Sequence, residues 1–299
     1  MRACLAGEDL DWLGGECCCV ALDLPTTVSL TAGQPAPAAY LTATWRAVGG
    51  IGEPPPLRVL AAAPVASGLS TSTSLIVALL QACASLSGAG VLAAADLAGV
   101  AYEIEFAFDR GGGMDQATIV QGGVRLMSGA PRGLPRLLAE APWPAAFALA
   151  VIASTEPKST RDHIARVRGQ LAHGDPLLAE YAREASQAAR RAWDALSAVD
   201  LVALQRAVND AHRAMRDRQR MSTPVLEGLR AAALRVGFGG VKLSGAGGGG
   251  ALIAVDTAAA VPRLATELRR ALRPAQAEVI PARAAVAGWY PPRRSTREV

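Results

Sequence analysis

Lysine is nearly missing from this chain of 299 residues: Lys158 and Lys242 are the only two, although arginine is plentiful. A genome-level preference for arginine removes lysine wherever either base serves. The two survivors therefore mark either chance or positions that want a compact ammonium. Charge of one sign is missing too. A net charge of +4 with scattered arginines leaves no basic stripe, so nucleic acid is not an expected partner. The basic tail between Arg293 and Arg297 reads as a solvated terminus. The cysteines match neither a disulfide framework nor a zinc spacing, and Cys17 to Cys19 would alternate faces of a strand as small buried apolar residues. No secretory apolar region opens the sequence, because Glu8 and Asp9 interrupt it, and a cytoplasmic protein is expected. The apolar stretch from Leu75 to Ala95 is broken by Gln81, Ser85, Ser87 and two glycines, so it predicts a buried helix and a turn, with no membrane partner. No internal repeat is visible.

A chain of this length exceeds the usual single domain and predicts two domains sharing an interface. Composition shifts most clearly between Ser128 and Trp143, which is rich in Gly and Pro, giving an N-terminal domain over 1–140 and a C-terminal domain over 141–299. Strand character marks Arg2 to Ala6, Cys17 to Leu22, Thr26 to Leu30 and Leu57 to Ala61. Helices are expected from Ser72 and over Ala94 to Phe108, the latter ending at the turn Asp109 to Gly113. Strand signals return at Gly123 to Met127 and Ala146 to Ala153. Helical spacing fills Asp175 to Val236, with breaks at Ser197 to Asp200 and Met221 to Pro224, and a strand, a helix near Ala258 to Leu272 and a strand close the chain.

Four segments carry chemistry. The glycine run from Gly245 to Gly250 lies between two apolar strands, with Lys242 at its entrance. Such a loop can bring backbone N–H groups against a phosphate. Gly245, Gly247 and Gly250 fit a dinucleotide fingerprint in spacing, but that motif needs a following helix and an acid about twenty residues on. A strand follows here, and no Lys-Ser or Lys-Thr follows as in a Walker loop. The second segment, Ser70 to Ser74, is five consecutive hydroxyl residues after Gly68 and Leu69 at a helix start. It is an anion site in one reading and a serine-rich cap in the other. In the third, Glu8, Asp9 and Asp11 crowd a turn after a strand carrying Arg2. They suit a polyhydroxylated ligand or a cation, or form a solvated acidic turn. In the fourth, Asp115 sits between glycines and an apolar strand, as a general base or a turn residue.

In this order and spacing the segments resemble the GHMP kinase family of small-molecule kinases, over nearly the whole chain. Gly7-Glu-Asp-Leu-Asp11 is similar to the substrate motif Gly-Glu-His-Thr-Asp of the galactokinase form, with Asp9 where that form has histidine. Pro64 to Thr73 is similar to the ATP motif Pro-x-x-x-Gly-Leu-x-Ser-Ser-Ala, with Thr73 for alanine. The run from Lys242 resembles Lys-Leu-Thr-Gly-Ala-Gly-Gly-Gly-Gly, with Ser244 for threonine. Met114-Asp115-Gln116 resembles the surroundings of the catalytic aspartate, and Ser154 to Arg161 a mevalonate-kinase segment near the active site. The resemblance implies an α+β fold in which an N-terminal ribosomal-protein-S5-domain-2-like domain precedes a C-terminal ferredoxin-like α/β sandwich. It implies transfer of the ATP γ-phosphoryl group to a hydroxyl with Mg²⁺, in a monomer or homodimer. Asp115 is then the base and Arg2 its basic partner. Ser72 and Glu103 are the metal residues, with Glu105 as second choice for the glutamate. The acceptor is assigned to Glu8, Asp9, Asp11, Gly14 and Gly113. ATP is assigned to Pro64, Ser67, Gly68, Leu69, Ser70, Thr71, Ser72, Thr73, Lys158, Lys242, Ser244, Gly245, Gly247 and Gly248. The serine-rich helix start takes the main phosphate-cradling role, and the glycine run becomes a packed wall beside it.

The carboxylates at 8, 9 and 11 favour a sugar or sugar-like cyclitol as acceptor, in the manner of a sugar-1-kinase or a kinase of a modified sugar in a specialised pathway. A small carboxylated alcohol such as mevalonate or homoserine is the alternative, and Lys158 points that way. A sugar and ATP sensor without phosphate transfer would predict damaged motifs, yet Arg2, Ser72, Glu103 and Asp115 are all present.

Overall fold

The computed structural model describes residues 1–63, 68–272 and 277–286. Pro64 and Ser67, expected at ATP, and the basic tail between 293 and 297 lie outside the described residues.

The chain opens with β1 (Arg2–Ala6), a one-turn helix α1 (Leu10–Leu13) and β2 (Glu16–Ala21). Then come β3 (Thr26–Ser29), β4 (Gln34–Pro35), α2 (Ala38–Ala47) and β5 (Arg58–Ala61). Three helices follow, α3 (Thr71–Ser87), α4 (Ala94–Asp109) and α5 (Met114–Gln121), before β6 (Val124–Ser128), β7 (Arg136–Ala141) and β8 (Phe147–Ser154). Four more helices, α6 (Thr160–Ala172), α7 (Pro176–Ser197), α8 (Leu201–Gln219) and α9 (Pro224–Arg235), lead to β9 (Gly240–Ser244), β10 (Ala251–Thr257), α10 (Val261–Ala271) and β11 (Ala277–Ala282).

Strands up to residue 141 and strands from residue 147 form separate antiparallel sheets, ordered β1-β2-β6-β7 and β11-β8-β10-β9, while β3-β5-β4 make a small third sheet. The expected α+β class is what the chain adopts. One apolar core joins the two large sheets: Leu5, Val20 and Leu126 of the first and Leu149, Val151 and Ile253 of the second pack with Ala188 and Ala192 of α7 and Ala207 and Ala211 of α8. Alanine on those helix faces lets the α7–α8 pair lie close to both sheets. The first sheet is covered on its other side as well. Cys18 faces the joint core, whereas Cys17 and Cys19 face Cys4, Met114 and Met127, so the cysteine triplet alternates faces as a strand must. All five cysteines are buried and free, and burial raises the Cys18 thiol above its ordinary value. No helix among the described residues is long and apolar enough to cross a membrane.

The two expected helical breaks are caps: the Asp200 side chain accepts from Ala203 N–H, and Thr223 accepts from Leu226 N–H just before Pro224. Elements not expected have weak signatures. Helix α6 buries only His163, Ile164 and Val167, and β7 is a largely exposed edge within the Gly- and Pro-rich stretch. The segment around Asp115, expected to lead into a strand, is instead the first turn of α5, with Gly113 at its N-cap.

A fully buried ion pair ties the second sheet to the turn after β1. Lys242 of β9 donates to the Glu8 carboxylate, to Cys4 O at 3.0 Å and to Leu243 O at 2.6 Å, with no exposure of its side chain. Breaking such a pair leaves a buried charge uncompensated and costs about 3–5 kcal/mol. Lys242→Met should lower the urea midpoint by a corresponding amount, and the double variant Lys242→Met/Glu8→Gln should recover much of the loss. Equal losses in both variants would show that the charge on Glu8 is not the source.

Candidate active site

A cavity of about 740 Å³ opens where the turn after β1, the start of α3, the start of α5, α6 and the loop after β9 converge. Its lining falls into two sets. One is polar and ionisable: Arg2, Asp9, Asp11, Asp115, Lys158 and His163. The other, from the small sheet, α2, α3 and α4, is mostly apolar and includes Pro35, Tyr40, Val59, Leu60, Leu75 and Phe106.

Asp115 is at the centre of the ionisable set. Arg2 Nε donates to its Oδ1 at 2.6 Å and Ser70 Oγ to its Oδ2 at 2.5 Å, while 23% of its side chain stays exposed towards the cavity. Arg2 is buried and spends a second donor on Gly68 O at 3.1 Å. Burial works against the Arg2 charge, but the Asp115 carboxylate outweighs it and holds the guanidinium above its ordinary value. A carboxylate fixed at both oxygens points its remaining lone pairs in defined directions, as a proton acceptor requires.

Helix α3 presents its first turn to the cavity through Thr71 and Ser72. Ser72 Oγ donates to Glu105 Oε1 and Thr73 Oγ1 to Glu105 Oε2, each at 2.5 Å, and Gln116 Nε2 reaches the same Oε2 at 2.7 Å. Burial, and then the charge of Asp115, push the Glu105 carboxyl up to about 7 against these bonds. Glu103, the expected metal ligand, lies elsewhere: its side chain is 59% exposed and ion-paired with Arg132 at 2.5 Å. Residues two apart on a helix project about 200° apart, so only one of the pair can face the cavity. The buried face of α4 carries Leu97, Ala98, Ala101 and Ile104, and Glu105 follows Ala101 by one turn. That spacing was the available signal for choosing Glu105.

Several other expected ligands are turned away. Lys242 is committed to the ion pair described above, and Ser244 Oγ donates to Gly68 O at 2.9 Å with no exposure. Gly247 packs against Met221, and Gly248 donates its N–H to Met221 O at 2.7 Å, leaving neither on the cavity wall; Gly245 and Ala246 are on it. Gly14 ends α1 with a left-handed φ of 93°, and Gly113 packs against Gly133 and Leu134. Gly111 and Gly112 meet the cavity instead, Gly112 pressed against the Asp11 carboxylate. Leu69 is buried and accepts the Arg2 backbone N–H at 3.2 Å.

The remaining expected residues meet the cavity. Lys158 stands where Gly68 and Gly245 approach each other, makes no hydrogen bond or ion pair among the described residues, and is lowered to about 8 by burial and then by Arg2. Asp11 Oδ2 accepts the Met114 N–H at 3.0 Å, and burial pushes its carboxyl up to about 7 against that bond. Glu8 keeps one buried oxygen without a partner. Asp9 meets His163, a residue the sequence motifs did not single out, at 2.7 Å.

The donor set around Ser72 and Glu105 has the chemistry of a cation site. A buried glutamate raised towards 7 beside a serine hydroxyl, with the buried Gln116 Oε1 unpartnered next to it, is a place where a cation would offset desolvation. Among the described residues no three His, Cys, Asp or Glu side chains could hold a metal by themselves. This suits Mg²⁺, which commonly takes one or two carboxylates and completes its shell with phosphate oxygens and water. These residues fit Mg²⁺, and the cavity wall that carries Thr71, Ser72 and Lys158, unpartnered among the described residues, fits the phosphates of ATP.

Models of two domains match the sequence, GHMP kinases N terminal domain over residues 39–123 and GHMP kinases C terminal over residues 192–274, together more than half of the chain. The fold is similar to that of L. major mevalonate kinase in complex with R-mevalonate, at 18% identity and a TM-score of 0.77, covering 95% of this chain and 94% of that one. It is similar to Lactococcus lactis galactokinase complexed with galactose, at 17% identity and 0.73, covering 96% and 92%. Streptococcus pneumoniae phosphomevalonate kinase is also similar, at 13% identity and 0.71, covering 95% and 97%. The search of curated proteins gave no match.

Folding raises the Glu105 carboxyl. Its folded value lies above its ordinary one, so its contribution to stability is complete below about 4.5 and is lost as pH rises through about 7. In ligand-free protein, Glu105→Gln should therefore gain stability relative to wild type between pH 5 and pH 8, by on the order of 1–3 kcal/mol. Urea denaturation of both proteins at the two pH values measures the difference. A gap that does not change with pH would contradict the buried, raised carboxyl.

Proposed function

The chain belongs to the GHMP kinase family of ATP-dependent small-molecule kinases, and from that premise we propose that it phosphorylates a hydroxyl of a sugar or sugar-like cyclitol. The observation that carries the reading is Asp115, clamped by Arg2 and Ser70 on a cavity wall shared with Asp9 and Asp11. Phosphoryl transfer asks for in-line positioning and charge stabilisation more than for covalent chemistry. Asp115 accepts the proton of the acceptor hydroxyl. Arg2 keeps that carboxylate in place and, with Lys158, faces the negative charge that develops between acceptor and phosphate. The open N–H groups and hydroxyls of the first turn of α3 receive phosphate oxygens. Ser72 and Glu105 would hold Mg²⁺. Bound Mg²⁺·ATP supplies the transferable γ-phosphoryl group and screens its charge.

Asp9 and Asp11 support the sugar or cyclitol acceptor, because carboxylates accept hydrogen bonds from neighbouring hydroxyls. The galactose bound to the L. lactis enzyme is an acceptor of this type. One observation favours a second reading. Lys158 offers a cation without a hydrogen-bonding partner, which would suit a carboxylated alcohol such as the mevalonate bound by the L. major enzyme. An ATP-consumption screen over hexoses, cyclitols and hydroxy acids separates the two, and turnover confined to hydroxy acids would sink the sugar reading.

Asp115→Asn should cut kcat by about 10²–10⁴ while ATP affinity, measured by calorimetry, stays within a few-fold. Retained turnover would refute the role given to Asp115.

A further inference from the structure

Asp9 is held in an uncommon way. It occupies the N-cap of α1, where an aspartate normally turns its carboxylate onto the helix N–H groups. Here the side chain makes no capping bond, and the backbone has a left-handed φ of 65°, which non-glycine residues adopt at a cost. The carboxylate instead meets His163 Nε2 at 2.7 Å, and both side chains are at least nine-tenths buried. The other face of the imidazole is fixed as well. Arg166 Nη2 lies 3.2 Å from His163 Nδ1, and Arg166 Nη1 donates to Gln219 Oε1 of α8 at 3.3 Å. A guanidinium only donates, so Nδ1 accepts and Nε2 carries the hydrogen given to Asp9 Oδ2. Asp9 Oδ1 has no hydrogen bond among the described residues, and Asp9 and His163 both line the cavity.

We propose that His163 is a specificity-determining positioning residue: it holds Asp9 so that Oδ1 accepts a hydrogen bond from an acceptor hydroxyl other than the one phosphorylated. The inference rests on the kinase reading above. Helix α6 carries His163 and Arg166, so acceptor choice is read partly by the second half of the chain and not by the turn after β1 alone. Burial, and to a lesser extent the charges of Asp115 and Asp9, raise the Asp11 carboxyl, and the like charges of Asp9 and Asp11 favour separation unless a donor restrains one of them.

The experiment uses the full chain with Mg²⁺·ATP and D-galactose, D-glucose, myo-inositol, R-mevalonate and L-homoserine as acceptors. For any acceptor with a second hydroxyl that wild type turns over, His163→Ala should raise the acceptor KM by about 10- to 100-fold, with kcat and the ATP KM within about threefold, whereas L-homoserine, which has a single hydroxyl, should show no such rise. His163→Gln keeps an N–H donor at similar reach and should stay within about fivefold of wild type. It also keeps the test valid should the alanine variant fold poorly. Asp9→Asn should reproduce the KM effect, and the double variant His163→Ala/Asp9→Asn should be no worse than Asp9→Asn alone, because both act on one contact. For an acceptor with a second hydroxyl, unchanged acceptor KM, a loss confined to kcat or to the ATP KM, additive penalties, or a glutamine variant as poor as alanine would each overturn the assignment while leaving the kinase reading intact. Absence of wild-type turnover on every acceptor with a second hydroxyl would overturn the acceptor class, and this inference with it.

Discussion

The geometry of the cavity depends on how closely the chain before α3 approaches the chain after β9. Gly68 has a φ of 80°, and a side chain there would overlap Ser244 O. Its carbonyl is shared by two donors from distant parts of the sequence, Arg2 Nη1 and Ser244 Oγ. Arg2 then reaches Asp115, and Ser244 continues into Gly245 on the cavity wall. A single carbonyl thus sets the distance between the first sheet, the start of α3 and the second sheet. If that approach opened, Asp115 would lose the donor that orients it and Lys158 would lose its crevice.

The charges around this knot are deployed in two different ways. Glu8 and Lys242 neutralise each other in full burial and act as a strut. Asp9 and Asp11 each have one oxygen engaged by a fixed donor, from His163 and the Met114 N–H respectively, Asp115 has both engaged, by Arg2 and Ser70, and all three remain on the cavity wall. Burial, and then repulsion between neighbouring carboxylates, disfavours the ionised forms, and the raised Asp11 and Glu105 express that cost. Such a site stores unfavourable electrostatics that an entering metal, phosphate-bound cation or hydroxyl-rich ligand relieves. Glu8 differs from the others in having its charge neutralised by the buried Lys242, so that pair contributes rigidity even though Glu8 keeps one oxygen without a partner.

Most strands and long helices were legible in the sequence because their apolar periods are strong and their ends are punctuated by caps and glycines, as at Asp200 and Thr223. The motif residues Arg2, Ser70, Ser72 and Asp115 do converge, since order along the chain reflects the loops that meet at one cavity. Orientation was less legible. Glu103 and Glu105 differ by two positions, and only the buried face of α4 distinguishes them. Asp115 was read beside a strand because Gly111 to Gly113 mask the start of a helix of only eight residues. His163 was invisible to motif reasoning. Its role arises from a partner 154 residues away, and α6 has too few buried positions to give a clear period.

The scarcity of lysine acquires a physical meaning from where the two lysines stand. An ammonium has three donors around one point, and at Lys242 those donors go to Cys4 O, Leu243 O and Glu8 in a space with no solvent. A guanidinium would bring five N–H groups to a site with too few acceptors and would leave buried donors unsatisfied. Lys158 is the opposite case, a compact charge without a hydrogen-bonding partner, squeezed by burial and by Arg2 towards a lowered value of about 8. An arginine there would keep its charge whatever its surroundings, whereas the value of this lysine responds to them, and an anion beside it would offset burial and raise it again. Two lysines kept in an arginine-rich chain therefore separate the two requirements of the site, one for a strut and one for a responsive cation.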